Sequence, residues 1–140
     1  KNKISYTNLR TFNIIGKDKF KQNVITYIIS NKNFNKLNFH NLYAIRDFMW
    51  IDDYVFSIKS VIKNKNKFTV LNIGTGKGIS ILKILKYVSE NKNILIDKKN
   101  LKKNLKINLH NIKVANNNRL KKIIKSYKFI SIKEIIKRLI

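Results

Sequence analysis

The sequence predicts an α/β fold in which strands of a largely parallel sheet alternate with helices. Two observations carry this expectation. Segments with the alternating or continuous apolar pattern of strands are followed along the chain by segments with apolar residues at helical spacing. The run FTVLNI, residues 68–73, is the kind of apolar strand that a parallel sheet buries on both faces. At 140 residues the chain can bury the core of one domain.

The first half of the chain is expected to hold three strands and two helices. Its opening segment is rich in alternating β-branched and aromatic residues, which favours a strand that ends at Gly16. Asn23 is suited to cap the helix that follows, because a short polar side chain can accept from free backbone N–H groups. The predicted strands cover 4–15, 36–39 and 46–51, and the predicted helices cover 23–30 and 52–63.

The helix predicted over 52–63 has acidic residues at its start and apolar residues at helical spacing. Val55, Ile58 and Ile62 recur at helical spacing and are expected to form its buried face. Asp52 and Asp53 open the helix, where carboxylates suit the positive end of the helix dipole. Adjacent helical residues do not face each other, so we interpret this pair as a cap and a fold-stabilising pair, not as an acid/base dyad.

The second half of the chain continues the alternation. Ser80 is suited to cap the helix after the strand at 68–73, and Ser131 and Glu134 stand at the spacing of a capping box. The chain has no proline, so asparagine and glycine are expected to make its turns. The predicted strands cover 68–73, 93–96 and 112–115, and the predicted helices cover 81–89, 116–124 and 131–140.

The formal charge of +24 would suit a polyanion partner such as nucleic acid. The composition offers another explanation, since lysine, asparagine and isoleucine make up about half of the chain and are the residues that A/T-rich codons favour. The lysines are also spread along the whole sequence, as on a solvated surface. We therefore do not expect nucleic acid as the main partner. The chain has no cysteine and only two histidines, so no metal site is expected.

The stretch FTVLNIGTGKGISILKIL, residues 68–85, holds three of the four glycines between a strand and a helix. A Walker phosphate loop requires Gly-Lys-Ser/Thr, but Lys77 is followed by Gly78. A dinucleotide fingerprint requires G-x-G-x-x-G, whereas this stretch reads G-x-G-x-G. The two common phosphate-binding loops are therefore poor fits.

The same stretch resembles the first motifs of S-adenosylmethionine-dependent methyltransferases. In those enzymes the cofactor lies against glycines that correspond to Gly74 and Gly76, and an acid placed like Asp97 binds the ribose. Asn72 stands where that motif commonly has an acidic residue. A methyltransferase sheet would also begin near residue 68 and leave the first half of the chain unexplained. This alternative stays open.

Five segments match a second family in order and spacing. The signal is specific, because R-D-F-x-x-x-D-D precedes N-I-G-x-G at the family distance. The chain resembles the carboxyl-terminal half of the NAD-dependent epimerase/dehydratase family, the extended short-chain dehydrogenases that act on nucleotide sugars, and is similar to its UDP-glucose 4-epimerase-like members. The matching segments are LRTFNIIG (9–16), QNVITYII (22–29), RDFMWIDDYVFSI (46–58), VLNIGTGKGISILKI (70–84) and VANNNRLKKI (114–123).

This resemblance implies the end of a Rossmann-type parallel sheet together with a small mixed α/β substrate-binding lobe. Residues 1–140 would form one incomplete unit, with 1–16 and 53–90 on the Rossmann side and 17–52 and 91–140 in the lobe. The glycine stretch would be a turn between a strand and a helix, not a phosphate cradle.

The resemblance also implies seven binding residues. Two would lie near the nicotinamide end of NAD, and five would contact a nucleotide-diphosphate sugar. Among the latter, Arg46 stands out because a guanidinium binds pyrophosphate through two parallel hydrogen bonds. The implied cofactor-binding residues are Thr11 and Phe12, and the implied substrate-binding residues are Asn13, Asn23, Phe39, Arg46 and Lys106.

Simpler roles are open for several of them. Phe12 and Phe39 could be ordinary core residues, Asn23 a plain helix cap, and Arg46 the partner of a neighbouring aspartate. Lys106 only approximates a second phosphate-binding arginine of the family, since lysine offers a point charge without the planar fork.

The catalytic parts of the family precede the matched region. Neither its glycine-rich NAD loop nor its Tyr-x-x-x-Lys pair occurs in this chain, so catalysis by the chain alone is uncertain and we assign it no catalytic residue. We expect a fragment of an NAD-dependent enzyme that is a homodimer when complete. The chain starts at Lys1 and lacks a signal-peptide core or a long apolar run, which predicts a cytoplasmic protein without membrane contact.

Overall fold

The computed structural model describes residues 6–17, 23–31, 41–64, 68–94 and 111–140. These residues form a mixed α/β structure with parallel strand pairs, as the sequence predicts. The longest helix among them has 13 residues, and none is long and apolar enough to cross a membrane. In chain order the elements are β1 Asn8–Thr11, β2 Asn13–Ile15, α1 Val24–Ser30, β3 Ile45–Trp50, α2 Ile51–Lys63, β4 Val70–Ile73, β5 Gly78–Ser80, α3 Ile81–Lys92, β6 Ile112–Lys113, α4 Asn118–Ile124 and α5 Ile132–Leu139.

The opening strand is divided between two sheets. β1 pairs in parallel with β4 over its whole length, from Asn8 opposite Val70 to Thr11 opposite Ile73. β2 instead pairs in parallel with β3. The expected single strand over 4–15 is therefore two strands, because the chain leaves the first sheet at Phe12 and continues along the edge of β3.

β3 organises the second sheet. β5 runs antiparallel to its first half, where Asp47 lies opposite Gly78, and β6 runs parallel to the same half. β2 pairs with the second half of β3. β5 was not predicted, because a strand of three residues beginning with glycine carries no periodic signal of its own.

β3 also separates two hydrophobic cores. Phe48 and Trp50 point into a core with α1, α3 and α5, whereas Met49 points into a core between the β1–β4 sheet, α2 and α4. This alternation follows from the two-residue period of a strand. The predicted division of the chain into a Rossmann side and a substrate-binding lobe stays a prediction.

The buried face of α2 differs from the predicted one. Asp53, Ser57 and Val61 are buried, whereas Val55 is 40% and Ile62 is 73% exposed. The helix turns this more polar face inward because the carboxylate of Asp53 has partners in the carboxyl-terminal segment. Of the three residues predicted to be buried, Ile58 packs against the core between the β1–β4 sheet, α2 and α4, whereas Val55 and Ile62 are exposed.

The cap predicted at Asp52 and Asp53 is wrong, because α2 begins at Ile51 with Trp50 at its N-cap and has no side-chain cap hydrogen bond. Three other predicted helix caps are confirmed. Asn23, Ser80 and Ser131 each accept a hydrogen bond from the first turn of the helix that follows. At the other end of α3, Asn93 adopts a left-handed conformation that closes the helix, so the strand predicted over 93–96 does not begin there. Residues 95–96 and the strand predicted over 36–39 lie outside the described residues.

Candidate functional site

A cavity of about 520 Å³ opens where the first sheet gives way to the second. One wall is the junction between β1 and β2, and the other is β6 with the residue after it. Three of the residues implied as binding residues by the sequence therefore lie on one cavity. Its lining residues are Thr11, Phe12, Asn13, Ile112, Lys113 and Val114.

Strand order explains why the two walls meet. At Ile45 and Arg46, β5 occupies one edge of β3, so β6 must occupy the opposite edge. β2 pairs with that same edge further along, from Phe48 to Trp50. The cavity therefore lies where β6 ends and β2 begins, close to the carboxyl end of β1. Ligands of parallel α/β sheets bind at the carboxyl ends of strands where the strand order changes.

Asn13 is the polar residue that the fold holds most firmly at this cavity. Its Nδ2 donates a 2.9 Å hydrogen bond to the backbone oxygen of Asp47 in the neighbouring strand. This bond orients the carboxamide, whose oxygen remains available as an acceptor. Asn13 is therefore positioned to contact a polar ligand.

Two cations stand side by side at the opposite wall. Lys113 in β6 lies in register with Arg46 in β3, and Lys113 lines the cavity. The Arg46 guanidinium donates through Nη1 to the backbone oxygens of Ile45, at 2.9 Å, and of Asn111. Arg46 is thus next to the cavity but not on its lining, and no ion pair with Asp47 is present among the described residues.

Lys113 had been missed in the sequence. The segment around it was predicted as a strand, but its role depends on which strand β6 pairs with. No local signal in a lysine-rich segment distinguishes this lysine from the others.

The other implied residues are not brought to this cavity by the described part of the chain. Asn23 caps α1 by accepting from the backbone N–H groups of Ile25 and Thr26 at 3.0 and 2.9 Å. Its contact with a substrate diphosphate stays a prediction, as do the roles of Phe39 and Lys106, which lie outside the described residues.

Two glycines of the stretch, Gly74 and Gly76, lie directly against other residues of the chain. A Cβ on Gly74 would lie 2.5 Å from the Cβ of Ala115, and one on Gly76 would lie 2.7 Å from the Asn117 side chain. Gly76 also has a φ of +73°, which favours glycine. Gly74 and Gly76 therefore allow close packing within the chain and a turn.

The Asp47 side chain holds this turn through hydrogen bonds. Its buried carboxylate accepts hydrogen bonds from the backbone N–H groups of Thr75, Gly76 and Ala115 at 3.1, 2.9 and 3.2 Å, and from the Thr75 hydroxyl. These donors compensate for the burial of the polar side chain. Asp47 therefore ties the glycine stretch, β3 and the end of β6 into one rigid unit beside the cavity.

Comparison with known proteins agrees with this architecture. The family model described as the NAD dependent epimerase/dehydratase family matches residues 1–74, just over half of the chain. No curated protein matches the chain with significance.

Solved structures share the fold across nearly the whole chain. They include an epimerase from Methanothermobacter thermautotrophicus (TM-score 0.73, 14% identity, 95% of this chain and 41% of that one). A dTDP-glucose 4,6-dehydratase from Bacillus anthracis in complex with NAD has a TM-score of 0.72 at 14% identity, covering 94% of this chain and 42% of its own. UDP-glucose 4-epimerase from Thermotoga maritima with UDP-glucose has a TM-score of 0.68 at 19% identity, covering 94% and 43%. The chain thus spans about two fifths of the length of these proteins.

Proposed function

Because this chain belongs to the NAD-dependent epimerase/dehydratase family, we propose that it is the nucleotide-sugar-binding half of an enzyme that transiently oxidises a sugar with NAD. One observation carries the proposal. Thr11, Phe12 and Asn13, which the resemblance implies as ligand contacts, line a single cavity at the carboxyl end of a parallel strand. The whole enzyme would be an isomerase or a lyase of carbohydrate metabolism.

In this proposal the cavity receives the sugar nucleotide. Asn13 contacts the sugar nucleotide, and its orientation by the Asp47 carbonyl reduces the entropy lost on binding. Lys113 and Arg46 supply positive charge for the diphosphate. Both hydrogen bonds of Arg46 to these backbone carbonyls use Nη1, so its Nε and Nη2 donors have no partner among the described residues and can serve a phosphate oxygen. Asn23, Phe39 and Lys106 remain proposed contacts from the resemblance alone.

The chain's own residues do not fit a whole NAD molecule. Gly74 and Gly76 pack against Ala115, Asp47 and Asn117, and the chain has no G-x-G-x-x-G fingerprint for a dinucleotide. Thr11 and Phe12 border the cavity and could meet the nicotinamide end only. We therefore assign no catalytic step to this chain and place the cofactor loop and the acid/base pair in another part of the protein.

Two surfaces support the presence of that other part. Within the described residues β1 pairs only with β4, and parallel sheets this small are seldom stable alone. On α2, the apolar side chains of Ile51, Val55 and Ile62 are exposed. Both features would be covered in a complete Rossmann domain. We further propose that the complete enzyme is a cytoplasmic homodimer.

The gene provides the first test. Coding sequence upstream of Lys1 is expected to encode Gly-x-x-Gly-x-x-Gly and, later, Tyr-x-x-x-Lys in the same reading frame. The protein expressed with that segment is expected to gain thermal stability with UDP or dTDP sugars in the presence of NAD. Upstream sequence without these motifs would refute the proposal.

A second measurement distinguishes the sugar-nucleotide proposal from the methyltransferase alternative. S-adenosylmethionine is expected to leave the melting temperature of the protein unchanged, because the chain's own side chains fill the space beside Gly74 and Gly76. A stabilisation by this cofactor that is lost in Asp97→Asn would favour methyl transfer instead.

A further inference from the structure

A second, polar groove lies on the β1–β4 sheet and shares no lining residue with the cavity described above. It has a volume of about 290 Å³. Two of its six lining residues are arginines, in a chain that has four arginines against 27 lysines. Its lining residues are Arg10, Val70, Asn72, Asn116, Asn118 and Arg119.

The sheet itself presents this groove. Arg10 lies in register with Asn72, so both side chains project from the same face. Leu71 and Ile73 point to the opposite face, where they are buried. The Nδ2 of Asn72 donates a 3.0 Å hydrogen bond to the backbone oxygen of Asn116, which ties the floor of the groove to the segment before α4.

Arg119 is held in place with most of its donors unused. Its Nη1 donates a 3.1 Å hydrogen bond to the backbone oxygen of Val70, and its guanidinium lies 5.5 Å from the centre of the Phe68 ring. A guanidinium has five N–H donors in a planar fork. The remaining donors of Arg119 are therefore presented by an already ordered side chain, which lowers the entropy lost on binding.

Arg10 lines the same groove as Arg119. Its side chain makes no hydrogen bond or ion pair with any other residue in the described part of the chain. The groove lining includes no carboxylate to neutralise either arginine. Both guanidinium groups are exposed, so an anion can reach them.

None of the five carboxylates in the described part of the chain lines this groove, and Glu90 is an exposed residue of α3. Asp47 and Asp53 are fully buried and hydrogen-bonded elsewhere. Asp52 accepts from the Trp50 indole, and Glu134 pairs with Arg138.

We propose that this arginine groove binds a phosphoryl group. Each guanidinium group can bind the phosphoryl oxygens through two parallel hydrogen bonds. The amides of Asn72, Asn116 and Asn118 provide additional neutral donors. The phosphoryl group can come from a small phosphorylated molecule or from an RNA backbone, which present the same oxygens. The inference is independent of the proposed sugar-nucleotide function.

The test is a titration of the protein that includes the segment upstream of Lys1 with inorganic phosphate, followed by NMR through the side-chain Nε–Hε signals of arginine. Arg10→Gln and Arg119→Lys are each expected to weaken phosphate binding about tenfold, the loss typical of a charge-assisted hydrogen bond. Arg119→Lys keeps the charge and removes only the fork. Lys86→Gln, at an exposed lysine on α3, is the matched control and is expected to bind phosphate like the wild type.

Equal phosphate affinity in the wild type and both arginine variants would overturn the proposal, as would an equal loss in Lys86→Gln. Arg10→Gln keeps the test valid if Arg119→Lys is unstable, because Arg10 has no hydrogen bond to lose in the described part of the chain. A competition experiment with a single-stranded RNA decamer then tests whether the bound phosphoryl group belongs to an RNA backbone or to a small molecule. RNA that displaces phosphate and weakens in the same variants indicates a nucleic-acid backbone, whereas RNA that does not displace it indicates a small molecule.

Discussion

The Tyr127 hydroxyl donates a 2.7 Å hydrogen bond to the Asp53 carboxylate, although the two residues are 74 positions apart. Asp53 is fully buried and also accepts from the backbone N–H of Ile130 at 2.9 Å. The start of α2 is thereby joined to the segment before α5. The interpretation of Asp53 as a fold-stabilising residue is confirmed. Its partners, Tyr127 and Ile130, are distant from it in the sequence.

Tyr127→Phe is expected to lower the free energy of unfolding by roughly 1.5–3 kcal/mol, the contribution of a hydrogen bond to a charged group. Burial, followed by the hydrogen bond and the charge of Asp53, raises the pKa of Tyr127 from 10.0 to about 12. The folded state therefore favours the neutral phenol. Its contribution is fully present below about pH 10 and is lost as the pH rises towards 12.

Urea denaturation at several pH values between 8 and about 12 measures this difference. The gap between wild type and Tyr127→Phe is expected to be constant below about pH 10 and to shrink above it. Tyr54→Phe is the control, since the Tyr54 hydroxyl makes no hydrogen bond within the described residues. A gap that does not change with pH would contradict the role given to Tyr127.

Asp47→Asn is expected to destabilise the chain by about 3 kcal/mol. The amide has one acceptor oxygen where the carboxylate has two, so backbone donors of Thr75, Gly76 or Ala115 lose their partner in a buried place. Asp52→Asn, at an exposed carboxylate, is the matched control and is expected to cost about 1 kcal/mol or less. Similar losses of unfolding free energy in the two variants, measured by chemical denaturation, would disprove the role of Asp47 as the acceptor for these buried donors.

Gly74→Ala is expected to destabilise by about 1–3 kcal/mol, because the new methyl group would overlap the Cβ of Ala115. Gly16→Ala provides the comparison. Its added Cβ would have Ile51 as nearest neighbour at 3.4 Å, and we expect a change within about 0.5 kcal/mol. Thermal unfolding followed by circular dichroism measures both variants, and a Gly74→Ala protein as stable as the wild type would show that the turn is not closely packed.

Val61→Ala and Ile62→Ala test the corrected face of α2 with two adjacent residues. Val61 is 7% exposed and Ile62 is 73% exposed. Truncation of Val61 is expected to cost about 1.5–3 kcal/mol, and truncation of Ile62 no more than about 0.5 kcal/mol. The reverse order in denaturation experiments would restore the face predicted from the sequence.

Asn13→Ala and Lys113→Gln test the proposed sugar-nucleotide cavity in the protein that includes the NAD-binding part. Each is expected to weaken UDP-sugar binding about tenfold, since each removes one polar contact with the ligand. Lys59→Gln, at an exposed lysine on α2, controls for the loss of one positive charge. Binding measured by calorimetry that is equal in all three variants would remove Asn13 and Lys113 from the site.

The candidate site was only partly predictable. Thr11, Phe12 and Asn13, which line the cavity, could be named as candidates because they belong to a segment that resembles a family motif. Lys113 was not found, because its place at the cavity follows from the pairing of β6 with β3, and strand pairing between distant segments leaves no local trace.

The sequence by itself determined the α/β class and the helix starts at Asn23, Ser80 and Ser131. These features depend on residues within one or two turns of each other. Tertiary structure alone decided that the first strand divides at Phe12 and that α2 buries Asp53. Both outcomes depend on partners many residues away, because a buried carboxylate or a strand edge is stabilised only by the groups that the fold brings to it.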